Sequence, residues 1–290
     1  MLFGNKQSLG ASGLYSGYTD WHSHILPGVD DGLQSAEDSL RILALYESLG
    51  VRVLWLTPHI MEDVPNETDF LRLRFEWFSA LYKASADGLN ALSEDFNPRA
   101  EQYDYDDEEE GFGADWNAEA AAALEDAPRC KGTISLHLAA ENMIDNLLVA
   151  RLDAGDLLPV GPKADYLLVE TRYVSPPVGM REILSRIQSM GYHPILAHPE
   201  RYTYMSDKDY HELAAKGIRL QLNIPSLTGT YGSEAETRAL HLLSEGLYTL
   251  TGHDLHSYRF LRHLLEHKLP RRTFDLVKQA ATRGFQHPTQ

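Results

Sequence analysis

Seven short segments of this chain run apolar and then end on a residue of the kind that ligates metals. The first, Tyr18 to His24, closes on His22 and His24. The others end at His59, Glu141, Glu170, His198, Asn223, and Asp254 with His256. Side chains two apart on a strand point to the same face, so each of the pairs His22/His24 and Asp254/His256 presents two groups together. Imidazole suits Zn, Mn and Fe. A carboxylate that closes an apolar run, as Glu170 closes Tyr166-Leu167-Leu168-Val169, is costly to bury unless it is paired or metal-bound. Taken singly, each residue is more simply a structural or surface group. A row of them at the same end of successive strands is poorly explained by chance and implies a metal site at one mouth of a barrel.

The intervening sequence supports a β-α alternation. Ser35-Ala36-Glu37-Asp38 starts a helix with Ser35 as cap, its apolar face carries Leu40, Leu43 and Ala44, and Gly50 stops it. Residues 51–57 form an apolar strand of the type buried on both faces. A helix with Phe70, Leu71, Leu73, Phe75, Phe78 and Leu81 follows. Strands over 134–141, 165–170, 193–198, 218–223 and 247–251 then alternate with helices over 145–154, 179–190, 207–215 and 233–245, ahead of a long helical C-terminus. Such repetition predicts a parallel sheet. Functional residues at the strand ends predict its closure into an α/β barrel with the site at the C-terminal mouth.

The length of 290 residues, 43% hydrophobic, suits one large core. Residues 1–17, rich in Gly and Ser, are expected to be a flexible arm ahead of a body spanning 18–290. From Asp87 to Asp126 there are 14 acidic residues against the single basic Arg99, whereas the remainder holds 28 acidic and 25 basic. The net charge of −16 therefore belongs mostly to one segment. Residues 85–130 read as an acidic, solvated or disordered insertion, with an acidic docking segment as the alternative; Ala118–Leu124 is a candidate short helix. A near-neutral body argues against nucleic acid as the principal partner. The lone Cys130 excludes an internal disulfide framework and fits a reducing compartment. With no apolar run of about 20 residues and no leader-like N-terminus, the expectation is a cytoplasmic protein without membrane insertion.

Asp20-Trp21-His22-Ser23-His24-Ile25-Leu26-Pro27-Gly28-Val29-Asp30-Asp31-Gly32 resembles the opening motif of the PHP (polymerase and histidinol phosphatase) superfamily, and within it the bacterial capsule and exopolysaccharide protein-tyrosine phosphatases. Thr57-Pro58-His59, Ala140-Glu141, Leu168-Val169-Glu170, Ala197-His198-Pro199-Glu200-Arg201-Tyr202 and Asp254-Leu255-His256 match in order, so the resemblance covers about residues 18–265. It implies a distorted (β/α)7 barrel holding three divalent metal ions of manganese type, with iron or zinc as alternatives. Carried over by residue, His22, His24, Glu141 and Asp254 would hold one ion. Glu141 would be shared with a second ion bound also by Glu170 and His198. Asp31, His59 and His256 would hold the third. Arg201 matches a phosphate-binding arginine, and Arg259 is a looser match. His256 is a candidate proton donor as well as a ligand. Three departures stand out: Asn142 where an aromatic is frequent, His253 where a small residue is usual, and the acidic insertion before Glu141.

The implied activity is metal-dependent hydrolysis of phosphotyrosine. Metal ions activate water and clamp phosphoryl oxygens, and a phenolate leaves readily. Cys130 lacks the Cys-x5-Arg loop of cysteine phosphatases. The implied partner is a phosphotyrosine protein, the tyrosine-rich tail of a membrane-associated polysaccharide-export kinase. Two other readings stand beside this one. The first is a PHP phosphoesterase acting on a small molecule such as histidinol phosphate, disfavoured by Asp31 where those relatives carry His. The second is an inactive regulatory binding protein of polysaccharide export, disfavoured by the complete ligand set.

Overall fold

The computed structural model describes residues 6–87 and 116–284. Its strands are β1 (Lys6–Ser8), β2 (Thr19–Asp20), β3 (Val53–Leu56), β4 (His59–Ile60), β5 (Ser135–Leu138), β6 (Glu141–Met143), β7 (Tyr166–Glu170), β8 (His193–Ala197), β9 (Arg219–Asn223), β10 (Tyr248–Gly252) and β11 (Lys268–Pro270). The helices are α1 (Ala36–Leu49), α2 (Thr68–Asp87), α3 (Trp116–Asp126), α4 (Asn146–Ala154), α5 (Met180–Ser189), α6 (Asp207–Ala215), α7 (Ser233–Ser244), α8 (Tyr258–Glu266) and α9 (Arg271–Arg283). The β-α alternation is thus as the sequence predicts. Ser35 caps α1 by accepting from the Asp38 amide, and Gly50 ends it at φ 94°, a left-handed backbone that glycine adopts without strain.

All strand pairs except β1–β11 are parallel. One sheet has six strands in the order β10-β9-β8-β7-β6-β4, and another has three in the order β2-β3-β5. The expected closed (β/α)7 barrel is not confirmed. Two of the long apolar runs break in mid-course, one at Thr57-Pro58 between β3 and β4, the other at Ala139-Ala140 between β5 and β6. Proline has no amide hydrogen for the ladder, so the first break has a local cause. At one seam the sheets are joined through the chain itself, as β3 runs on into β4 and β5 into β6, with Ala139 N donating to Leu56 O (2.9 Å) before the break and Glu141 N to Pro58 O (3.0 Å) after it; across the other seam His24 N donates to Leu255 O (3.1 Å) and Asp254 N to His22 O (2.9 Å). A mixed α/β domain with parallel sheets results, and its strand ends gather at one side.

Residues 6–17 are not the flexible arm expected from their composition. β1 pairs antiparallel with β11, and Leu9, Leu14 and Tyr15 are buried in the core. That pairing also splits the expected long C-terminal helix. Pro270 cannot extend a helix and biases Leu269 toward extended backbone, so β11 separates α8 from α9. The acidic stretch is likewise ordered at its end: α3 contains the candidate helix Ala118–Leu124, buries Ala120 and Ala123, and leads to buried Cys130. The rest of the predicted disorder, residues 88–115, lies outside the described residues. Arg74 ties this region to the rim of the site. It binds Glu119 at 2.8–2.9 Å, donates through Nε to Pro27 O at 2.9 Å, and lies over the Trp77 ring.

Candidate metal centre

Three groups of ligand-type side chains converge at one side of the sheets; His59 and Glu141, expected to end strands, are the first residues of β4 and β6. In each group, the ligand atoms lie within 4.8 Å of one another: His22, His24, Glu141 and Asp254; His24, Asp31, His59 and His256; and His59, Glu141 and Glu170. His198 joins them, with Nε2 at 3.0 Å from Glu141 Oε1 and 3.7 Å from Glu170 Oε2. All nine metal-ligand candidates of the sequence are therefore brought together. Most are fully buried; Asp31 and His256 sit at the open edge.

The hydrogen bonds on the far side of each ring decide whether a cation fits. His22 Nδ1 faces Gln221 Oε1 (3.1 Å), an acceptor, and His24 Nδ1 faces the Asp30 carboxylate (2.8 Å). Both Nδ1 atoms must donate, which in the neutral rings leaves a lone pair on each Nε2. Those two Nε2 atoms lie 3.0 Å apart. They also converge on Glu141 Oε2, at 3.1 and 3.2 Å, where His59 Nδ1 approaches to 3.2 Å. Glu141 Oε2 is buried and receives no hydrogen bond. Lone pairs aimed at one point are satisfied by a cation. Ligand bonds of about 2.1 Å place the ligand atoms of one ion roughly 3.0–3.5 Å apart, the spacing found here. Donation of the second ring nitrogen to an acceptor is the usual outer support of ligating histidines.

The electrostatics agree. Burial opposes the charged forms of Glu141 and Asp254, but the imidazoles around them, His22 foremost, hold both carboxyls well below the ordinary range. Burial likewise opposes protonation of His22, yet Glu141 and Asp254 outweigh it and raise its pKa to about 9. A hydrogen bond from His256 leads the effects that lower Asp31 to about 2. The cluster therefore compensates its carboxylates with protons when no metal is bound.

Local backbone is bent to make this arrangement. Three non-glycine residues have positive φ among the described residues, and two are His198 (32°) and Asp254 (48°). Such strain costs about 1–3 kcal/mol per residue and gathers at functional sites. Two glycines are required by close approach. A Cβ on Gly252 would fall 2.6 Å from His22 Cβ, and one on Gly32 would fall 2.1 Å from His24 O.

Arg201 reaches the same mouth: Nη1 donates to Asp254 Oδ2 and Nη2 to the Tyr173 hydroxyl, each at 2.6 Å. Arg259, by contrast, is exposed in the first turn of α8 and makes no ion pair among the described residues. His256 Nδ1 faces the Asp254 carbonyl (2.9 Å), so ligation and proton donation compete for Nε2 alone. His253 points away from the ligands, binding Asp20 through Nδ1 (2.8 Å) and Tyr15 OH through Nε2 (3.0 Å). Asn142 donates to two backbone carbonyls, those of Ala140 and Leu168. Cys130 is buried with its thiol pushed up to about 11 by burial, so it is not a ready nucleophile.

Sequence reasoning missed three supporting side chains: Asp20, Asp30 and Gln221. Gln221 carried a usable signal. It is a polar residue inside a buried strand, two positions before Asn223 and hence on the same face. Asp30 and Asp31 are indistinguishable by composition, and the fold alone assigns the first to His24 and the second to the edge.

A parallel α/β domain with a carboxylate- and imidazole-lined mouth defines a class of metal-binding proteins. Within it, the chain belongs to the family described as "Capsular polysaccharide synthesis, CpsB/CapC", which it matches over residues 18–78 and 107–263. It is 24% identical over 245 residues to "Tyrosine-protein phosphatase YwqE" of Bacillus subtilis (strain 168), covering 83% of this chain and 78% of that protein. It is 23% identical over 241 residues to "Putative tyrosine-protein phosphatase CapC" of Staphylococcus aureus, covering 82% and 76%. A solved structure also resembles it, with TM-score 0.60, 21% identity and coverage of 90% of this chain and 86% of that one. It comes from work on YwqE from Bacillus subtilis and CpsB from Streptococcus pneumoniae, described as "unique metal-dependent tyrosine phosphatases".

Proposed function

We propose that this chain is a metal-dependent protein-tyrosine phosphatase. The observation that carries the reading is the convergence of the His22 and His24 lone pairs, with His59 Nδ1 beside them, on the hydrogen-bond-free Glu141 Oε2. The names of its relatives in the family supply the reaction class. The finer reading is three divalent ions of manganese type. His22, His24, Glu141 and Asp254 take the first. Glu141, Glu170 and His198 take the second, and Asp31, His59 and His256 the third. His59 also faces Glu141 and Glu170 through Nδ1, so it is the ligand able to serve either of the last two. The hydrogen bonds at both seams support reading residues 18–290 as one distorted (β/α)7 barrel.

Divalent ions held there lower the pKa of water toward neutrality and offset charge on the phosphoryl oxygens. The chain's own residues do the rest. Arg201, held at the mouth, orients the phosphoryl group by charge-assisted hydrogen bonds. Gln221 and Asp30 fix the His22 and His24 rings. His256, through Nε2, can hand a proton to the leaving oxygen if that atom is not ligating, and Arg259 is the second cation able to approach the phosphate. The expected substrate is a phosphotyrosine segment, such as the tyrosine-rich tail of a polysaccharide-export kinase, met in the cytoplasm. No helix among the described residues is long and apolar enough to cross a membrane.

Purified protein is expected to hydrolyse phosphotyrosine peptides with Mn²⁺ and to lose that activity in EDTA. Absence of any bound transition metal, together with no turnover on adding Mn²⁺, overturns the reading.

A further inference from the structure

The loop leaving β7 carries three of the five large apolar side chains exposed among the described residues: Tyr173 at 40%, Val174 at 79% and Val178 at 98%. It starts directly after Glu170, so it forms one lip of the mouth. Tyr173 is held in place rather than loose. Its carbonyl accepts from the amide and hydroxyl of Thr203 at 2.8 and 3.0 Å. Its hydroxyl accepts from Arg201 Nη2, its ring lies 4.4 Å from the Arg201 guanidinium carbon, and the same ring lies 6.0 Å from that of His198. Tyr231 packs on the same guanidinium at 4.2 Å. Arg201 is thereby fixed by two aromatic rings and one carboxylate, while Tyr173, also stacked near Tyr202, remains 40% exposed as a residue. A phosphoryl group placed at Arg201 has no use for that apolar surface; a group attached to the phosphate does.

We propose that Tyr173 is the aryl-selecting residue of this site, its ring forming the wall on which the phenyl ring of a phosphotyrosine packs, and that Tyr231 is a positioning residue for Arg201. The proposal rests on the phosphatase reading and narrows it to aryl phosphates over the alkyl phosphates of serine and threonine. An aromatic pair of this kind is worth about two- to tenfold in binding.

The test uses Mn²⁺-loaded full-length protein turning over a phosphotyrosine peptide, with phenylphosphonate and methylphosphonate as competitive inhibitors. The readout is the ratio of their inhibition constants. The wild type should favour phenylphosphonate, and Tyr173→Ala should lose about two- to tenfold of that preference. Tyr173→Phe should retain it even where both constants weaken together, because the ring remains and only the hydroxyl bond to Arg201 is gone. An unchanged ratio in Tyr173→Ala overturns the proposal, as does an equal loss in Tyr173→Phe. Those outcomes, seen in an enzyme that turns over, leave the phosphatase reading standing. A wild type that hydrolyses no phosphomonoester with Mn²⁺ overturns both.

Discussion

Two buried polar clusters share the strand end at His22 and use the same kinds of side chain, yet they are finished differently. In the Asp20 cluster every group has its complement. Asp20 Oδ2 accepts from Tyr46 OH (3.0 Å) and His253 Nδ1 (2.8 Å), and Oδ1 accepts from the His22 and His253 amides (3.3 and 3.1 Å). His253 Nε2 then accepts from Tyr15 OH, and Tyr18 OH pairs with Thr251 Oγ1 at 2.8 Å. In the Glu141 cluster, Glu141 Oε2 and His59 Nδ1, which face each other at 3.2 Å, are buried without a hydrogen bond. The first cluster is complete as protein; the second is complete only with cations. A buried, carboxylate-and-histidine composition therefore does not mark a metal site. The direction of the lone pairs does, since an unmet buried acceptor costs about 1–3 kcal/mol in the absence of a ligand.

This contrast can be broken at either cluster. Glu141→Ala removes the carboxylate on which three imidazoles converge. Activity should fall by more than the roughly 100-fold that marks the upper range for loss of an outer-shell partner, and metal content should drop, while circular dichroism stays that of a folded domain. Full activity in this variant would sink the assignment of Glu141. Asp20→Ala should act the other way round, on folding first. Removing the acceptor of a satisfied, fully buried hydrogen-bonded set leaves its donors unmet, at about 1–3 kcal/mol or more, to be read from urea unfolding of the metal-free protein. A loss below about 1 kcal/mol would mean that the Asp20 cluster is not the structural one. Gln221→Ala tests the link between fold and ligand. It frees the His22 ring without touching the convergent atoms, so Mn²⁺ affinity should weaken about 10- to 100-fold. Titration calorimetry showing unchanged affinity would mean that the His22 tautomer is fixed by something else.

Much of this was legible in the chain. The β-α alternation, the Ser35 cap, the Gly50 stop and the nine ligand candidates depend on local pattern: apolar periodicity, capping residues, and a polar residue ending an apolar run. The errors have equally physical origins. Residues 6–17 look flexible by composition, but an edge strand is specified by the partner it finds, and β1 finds β11. The long C-terminal helix broke at Pro270 for the same pairing. The apolar runs 51–57 and 134–141 read as single strands because hydropathy does not register where a ladder changes partner. Apart from the family motif, residue type and an apolar lead-in do not separate His253 from His22, and only their neighbours in space distinguish a hydrogen-bonded histidine from a candidate ligand.

The row of His, Asp and Glu at strand ends was fixed by sequence, because parallel strands with alternating side chains leave such residues nowhere else to go than a shared rim. Which of them converge was fixed by tertiary structure. The left-handed turns at His198 and Asp254, the space left by Gly32 and Gly252, and the acceptors Gln221 and Asp30 behind the rings together aim three imidazole nitrogens at one carboxylate oxygen. No spacing along the chain encodes that aim, since His22 and Gln221 are 199 residues apart and meet at 3.1 Å.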